Sequence, residues 1–158
     1  MRNEEVMQIL RDPVAQRLLE SPIARLAYNG PDGTPRVVPI GFLWTGATVV
    51  LCTATDAPKV RSLERDPKVA FTIDTDTHPP NILSIRGTAA IEIVEGVPDE
   101  FLTASRKGVP QEQWSDFEQQ ARSLYPAMAR ITVTPTWANV IDFETRFPSA
   151  VERLVAGR

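Results

Sequence analysis

Apolar residues along the chain recur with two different periods, and the switches between them mark out the elements. Between residues 3 and 20, Val6, Ile9, Leu10, Val14, Leu18 and Leu19 fall at largely helical spacing, with Pro13 breaking the helix or opening a second one. Residues 23–28 are a short apolar run ending in Asn29-Gly30-Pro31-Asp32-Gly33, which has the turn residues of a hairpin loop. Residues 36–44 and 47–53 predict the next two strands, joined through Thr45-Gly46. At Asp56-Ala57-Pro58 the pattern changes. Proline at a first helical position, with Val60 and Leu63 on one side, predicts a short helix over 58–66 that Pro67 stops.

Strand character resumes over 69–73 and 82–94, with Arg86-Gly87 as a bulge. Two surface helices follow over 98–107 and 110–124, each with proline near its start, and Gly108 closes the first. Residues 129–133 and 137–143 return to strand character, and 147–156 form a helical tail. Five or six strands in hairpins with short helices between them predict a mainly β (α+β) fold, a small antiparallel barrel with peripheral helices. A parallel crossover through the 58–66 helix is the alternative.

At 158 residues and 17.5 kDa the chain suits one domain, with its core over about residues 5–143. Residues 37–55 hold no charge over 19 positions, close to the roughly 20 a membrane helix needs. Pro39, Gly41 and Gly46 interrupt the run and four threonines decorate it, so it predicts two buried strands instead. The acidic, polar start lacks a signal-peptide pattern, and a cytoplasmic setting is expected. With 17 Lys and Arg against 20 Asp and Glu, the net charge of −3 lacks the basic excess of a nucleic-acid binder. Only 11 aromatic residues are available to stack on bases, which weighs against an OB-like single-strand binder.

One Cys and one His exclude an intramolecular disulfide and any zinc site built from four Cys or His ligands. Cys52 lies in the apolar run Val49-Val50-Leu51-Cys52 and reads as a small buried hydrophobe. His78 sits in the turn-like His78-Pro79-Pro80 and reads as structural or superficial, not as part of a nucleophile elbow.

The most informative segment is Thr53-Ala54-Thr55-Asp56-Ala57-Pro58-Lys59-Val60-Arg61-Ser62. A helix start favours anions, yet here Lys59 and Arg61 sit near it while Glu64 and Asp66 occupy the far end. A phosphate there would accept bonds from backbone N–H groups, from the hydroxyls of Thr53, Thr55 and Ser62, and from Lys59 and Arg61. A solvated helix capped by Asp56 is the other reading. In Val37-Val38-Pro39-Ile40-Gly41-Phe42, proline and glycine interrupt a strong strand, which suits either a barrel bend or close approach by a flat ligand. Trp44 reads as core, Trp114 as helix packing, and Trp137 as core or a pocket wall.

Taken in order, Arg36-Val37-Val38-Pro39-Ile40-Gly41-Phe42, the strand ending Thr53-Ala54-Thr55, and the segment Lys59-Val60-Arg61-Ser62-Leu63-Glu64-Arg65-Asp66-Pro67-Lys68-Val69 resemble the pyridoxamine 5'-phosphate oxidase-like split-barrel family. The similarity is nearest to its deazaflavin-using branch. It implies an FMN-binding type of split barrel, a homodimer, and FMN or coenzyme F420 in two clefts between the subunits. By position, Pro39, Ile40 and Gly41 would run beside the cofactor ring. Thr53, Ala54, Thr55, Lys59, Arg61 and Ser62 would surround its phosphate, with Ser62 standing where many relatives have Asn. Ile82 and Trp137 would be pocket walls from the partner chain. The arginines and lysine with which true pyridoxamine phosphate oxidases hold substrate phosphate are not recognisable, so that particular activity is not implied.

The resemblance therefore implies hydride transfer between FMN or F420 and a small organic molecule, with no catalytic residue named by the chain itself. A flavin, deazaflavin or haem carrier using the same cleft is the non-enzymatic alternative.

Overall fold

Polar turns and short helices return the chain on itself, and every strand pairing is antiparallel. The computed structural model describes residues 1–158. Two helices, α1 (Asn3–Leu10) and α2 (Pro13–Leu19), lead into strands β1 (Ala24–Asn29), β2 (Pro35–Ile40), β3 (Leu43–Trp44) and β4 (Val49–Ala54). Helix α3 (Pro58–Arg65) connects to β5 (Lys68–Asp74) and the long β6 (Ile82–Glu95). Helix α4 (Asp99–Arg106), a 3-10 turn (Gln111–Gln113) and α5 (Trp114–Leu124) precede β7 (Ala127–Ile141), and α6 (Ser149–Ala156) ends the chain.

The strand order is β2-β1-β5-β6-β7-β4-β3. Its two edge strands, β2 and β3, are consecutive in sequence with only Gly41 and Phe42 between them, so the ends of the sheet are drawn together and the sheet rolls into a split barrel. The expected single strand over 36–44 is therefore two strands on opposite edges. Phe42 is the pivot, with its ring fully buried in the core.

The second correction concerns β7. Two strands were expected on either side of Pro135, but residues 127–141 form one strand. Pro135 pairs with Gly87, where the β6–β7 register shifts between Arg86 and Gly87. A bulge interrupts the ladder there, so the missing proline N–H costs little. Gly87 is obligatory at this point, since a Cβ would lie 2.6 Å from the Thr134 carbonyl oxygen. With these two changes the strands number seven, the crossover alternative falls away because all pairings are antiparallel, and the 110–124 helix becomes a 3-10 turn followed by α5. Gly46 turns the predicted β3–β4 hairpin with φ +94°.

The barrel core includes Leu26, Phe71, Ile85, Ile131 and Val133, closed at one side by Val6, Leu10, Leu18 and Leu19 of α1 and α2. Burying such side chains stabilises the fold by about 1.5–3 kcal/mol each. A smaller cluster of Val97, Leu102, Ala121 and Met128 seats α4 and α5, with Phe101 stacked on Phe117 and edge-on to Tyr125. Trp44 packs half-buried against the core, and Trp114 donates its indole N–H to the Val109 carbonyl at 2.7 Å. No helix is long and apolar enough to cross a membrane, and the uncharged run over 37–55 is spread over β2, β3 and β4.

Candidate functional site

Side chains alternate across each strand, so the register decides which residues meet on the face turned away from the core. Two transverse rows result. One runs Val37, Ala27, Ala70, Arg86, Trp137, and the next runs Pro39, Arg25, Thr72, Ser84, Asn139. Small residues in the middle and larger ones at the ends make a shallow hollow of about 370 Å³, whose lining includes Arg25, Ala27, Ala70, Ser84, Arg86 and Trp137. The Arg86 guanidinium lies 4.1 Å from the centroid of the Trp137 ring. Arg25 is turned toward Asp74, with Nη1 3.4 Å from a carboxylate oxygen. Val37, at the rim, is 66% exposed, an apolar side chain on an open face.

The second feature is the start of α3. Ala57 is its N-cap and makes no side-chain cap hydrogen bond, and the first turn holds no acidic residue. The expected Asp56 cap is thus absent, because the turn places Asp56 one residue too early and leaves it exposed. Arg61 and Ser62 line a groove of about 500 Å³ together with Pro31, Asp56, Pro58 and Arg65. Ser62 is buried to 4% exposure at its floor. Lys59 is half-buried, and burial pulls its ammonium below the usual lysine value. The eight ion pairs of the protein involve neither Lys59, Arg61 nor Arg65. A half-buried ammonium beside an uncapped helix start is a donor set that fits a phosphate.

The fold distributes the remaining candidates unevenly. Thr53 and Ala54 close β4, half-buried and paired with Ala129 and Met128, and Thr55 is exposed in the turn that follows. Neither these three nor Lys59 lines the groove of Arg61 and Ser62. Pro39 and Gly41 are exposed, with Pro39 opposite Arg25, whereas Ile40 packs inward against the core. Trp137 walls the hollow, and Ile82 lies on the adjoining row between Asp74 and Ile141. Arg25, Ala27, Ala70, Thr72, Ser84 and Arg86 were missed from the sequence. Period-two alternation marks their common parity, but only the pairing register brings them into one hollow.

Three other sites lack this convergence. A depression of about 620 Å³ runs along α5 past Asp116, Gln119, Gln120, Ser123 and Leu124 and gathers no cation. Cys52 abuts the smaller apolar cluster; burial, reinforced by the charge of Glu100, pushes its thiol up to about 11. No three His, Cys, Asp or Glu side chains converge as metal ligands, and His78 is exposed in the β5–β6 loop.

The family model for pyridoxamine 5'-phosphate oxidase matches residues 10–139, from the end of α1 almost to the end of β7. The chain belongs to the pyridoxamine 5'-phosphate oxidase family. Proteins of known structure share this fold. An F420 reductase is 27% identical, with a TM-score of 0.55 over 78% of this chain and 94% of its own. A Listeria innocua protein described as a pyridoxamine 5'-phosphate oxidase is 19% identical, with a TM-score of 0.61 over 84% of this chain and 98% of its own. HutZ, a haem storage protein from Vibrio cholerae, is 17% identical, with a TM-score of 0.58 over 83% and 94%. No curated protein sequence matches significantly. The last two likenesses concern the fold alone.

Proposed function

We propose that this member of the family is an oxidoreductase that binds FMN or F420 and transfers a hydride between that cofactor and a small organic substrate. The observation that carries this reading is the set of unpaired cations at the start of α3, above all half-buried Lys59. Lys59 and Arg61 would hold the cofactor phosphate, aided by the hydroxyls of Thr53, Thr55 and Ser62 and by helix N–H groups. Pro39 and Gly41, exposed at the sheet edge, would leave room for the ring, and Ile40 would anchor that edge through the core. The cofactor supplies the hydride chemistry. The protein orients the ring, excludes water and shapes the substrate space beside it.

The working unit would be a homodimer, in which a second copy of the chain covers the outer sheet face and brings Ile82 and Trp137 over the ring. The similarity to an F420 reductase makes F420 the first cofactor to titrate. A haem carrier has less support: the single imidazole, His78, is exposed in a loop and does not line the sheet hollow. The test is a titration of the purified protein with FMN and with F420, followed by turnover with the reduced form. Absence of binding to both removes the assignment.

A further inference from the structure

Beyond β7 the chain makes a turn that is held from many sides. The Asp142 carboxylate accepts bonds from the backbone N–H groups of Glu144, Thr145 and Arg146, from the Thr145 hydroxyl and from the Arg146 guanidinium. Arg146 also donates to Asp12, and Phe143 sits at φ +57°, a left-handed conformation that a bulky side chain keeps only where its surroundings impose it. Phe147 meets the Phe143 ring edge-on. The turn therefore fixes the direction in which α6 leaves the body.

The helix so aimed has no partner in its own chain. None of its eight residues is buried, and Leu154 is 71% exposed. Val151, Leu154 and Val155 fall at i, i+3 and i+4 and share one face, while Ser149, Glu152 and Arg153 lie on the other. A helix this short is marginal in water on propensity alone, so its apolar face needs a surface to pack against. Its exit point selects that surface. Ile141, the last residue of β7, pairs with Ile82 on the outer sheet face. In the homodimer proposed above, Ile82 of one subunit lies over the ring beside Pro39 and Gly41 of the other, so the segment after Ile141 leaves along that sheet edge of the other subunit. At this edge Ile23 is 50% exposed, next to Pro22, whose carbonyl oxygen would lie 3.8 Å from a Cβ on Gly41.

We propose that α6 is a subunit-crossing arm, whose face of Val151, Leu154 and Val155 packs on Ile23 of the partner subunit, beside the Gly41 bend that the reading above gives to the cofactor ring. The proposal rests on the homodimer part of that reading and is independent of which cofactor is bound.

The test uses the full-length protein and two measurements. Hydrogen exchange, recorded above and below the concentration at which the dimer dissociates, is expected to slow about tenfold or more over residues 149–156 in the dimer alone. Sedimentation equilibrium is then run on the parent, Leu154→Ser, Ile23→Ser and the double variant. Both side chains are exposed in the single chain, so the dilute variants should melt as the parent does. Each single substitution is expected to weaken the dimer about tenfold, and the double variant no further, since the two side chains share one contact. Effects that simply add, or a dimer that neither substitution weakens, overturn the proposal. So does exchange over 149–156 that is equally fast in monomer and dimer. Slow exchange that persists in the dilute monomer would mean that α6 folds onto its own chain, and slow exchange that appears only on phosphatidylglycerol vesicles would make it a membrane anchor; either result also overturns the proposal. A chain that stays monomeric at every concentration fells the homodimer and the arm together, whereas a dimer with an unprotected α6 fells the arm alone. Failure to bind FMN and F420, with the coupling between Leu154 and Ile23 intact, would remove the cofactor reading and leave the arm standing.

Discussion

Arg146 reaches back 134 positions along the chain to place Nη1 2.7 Å from Oδ2 of Asp12, and it also lies 3.2 Å from Asp142. This joins the segment after β7 to the junction of α1 and α2. The Thr145 hydroxyl and the Glu144, Arg146 and Thr145 backbone N–H groups hold the Asp142 carboxyl well below the usual range. Burial pushes Asp12 up, but hydrogen bonds from Arg146 and Val14 outweigh it and leave it lowered. Both carboxyls are therefore easier to ionise in the folded chain than in the unfolded one. Their stabilisation is fully present above the ordinary aspartate value of about 3.9 and is lost as pH falls below it toward their folded values. Melting curves over falling pH should show this loss. Asp142→Asn should lower the melting temperature at neutral pH and flatten the acid limb, and an unchanged limb would show that the cluster is energetically idle.

Gly87→Ala should destabilise the protein by about 1–3 kcal/mol, the range for forcing atoms into a packed site. The added Cβ would meet the Thr134 carbonyl oxygen at 2.6 Å and Val133 Cγ1 at 2.7 Å. Because the same bulge places Arg86 against Trp137, the substitution should also perturb the sheet hollow. Urea denaturation measures the first effect. A midpoint equal to that of the parent chain would mean that the bulge relaxes freely.

Lys107 lies half-buried with Nζ 3.7 Å from the centroid of Phe42, beside the Gly41 bend. Burial pulls its ammonium down to about 8, with Glu20 acting in the opposite direction. An unfolded chain keeps this proton up to about 10.4, so it binds more protons than the folded chain between the two values. Stability then rises with pH across that window. Cys52, pushed up to about 11, contributes a slope of opposite sign above the ordinary thiol value of about 8.5. Denaturation of the parent chain and of Lys107→Met, compared at each pH, isolates the lysine. The variant should lose stability relative to the parent as pH rises from about 8 to 10. A constant difference between the two would refute the shift.

The elements were legible because their signals are local: proline at the first position of α3, Thr45-Gly46 between β3 and β4, and helical spacing over α1 and α2. The bulge at Arg86-Gly87 was legible too, yet its consequence was not. Only the pairing of Gly87 with Pro135 shows why a proline sits inside β7 without ending it. The break at Gly41-Phe42 was masked by strong strand composition, since rolling the sheet is a property of the whole order of strands. At the site, the local conflict between Lys59, Arg61 and the helix start was visible in the chain. The hollow was not, because Arg25, Ala70, Ser84 and Arg86 come from three strands and meet only through register.

The account stands or falls on an anion held at the start of α3. Equilibrium titration of the parent protein and of Lys59→Ala with F420 and FMN, read by cofactor absorbance or fluorescence, addresses it directly. The parent should bind one of the two, and Lys59→Ala should weaken that cofactor by about 1.5–3 kcal/mol, the range for a hydrogen bond to a charged group. Equal affinity in parent and variant would place the phosphate elsewhere, and no binding of either cofactor to the parent would contradict the account.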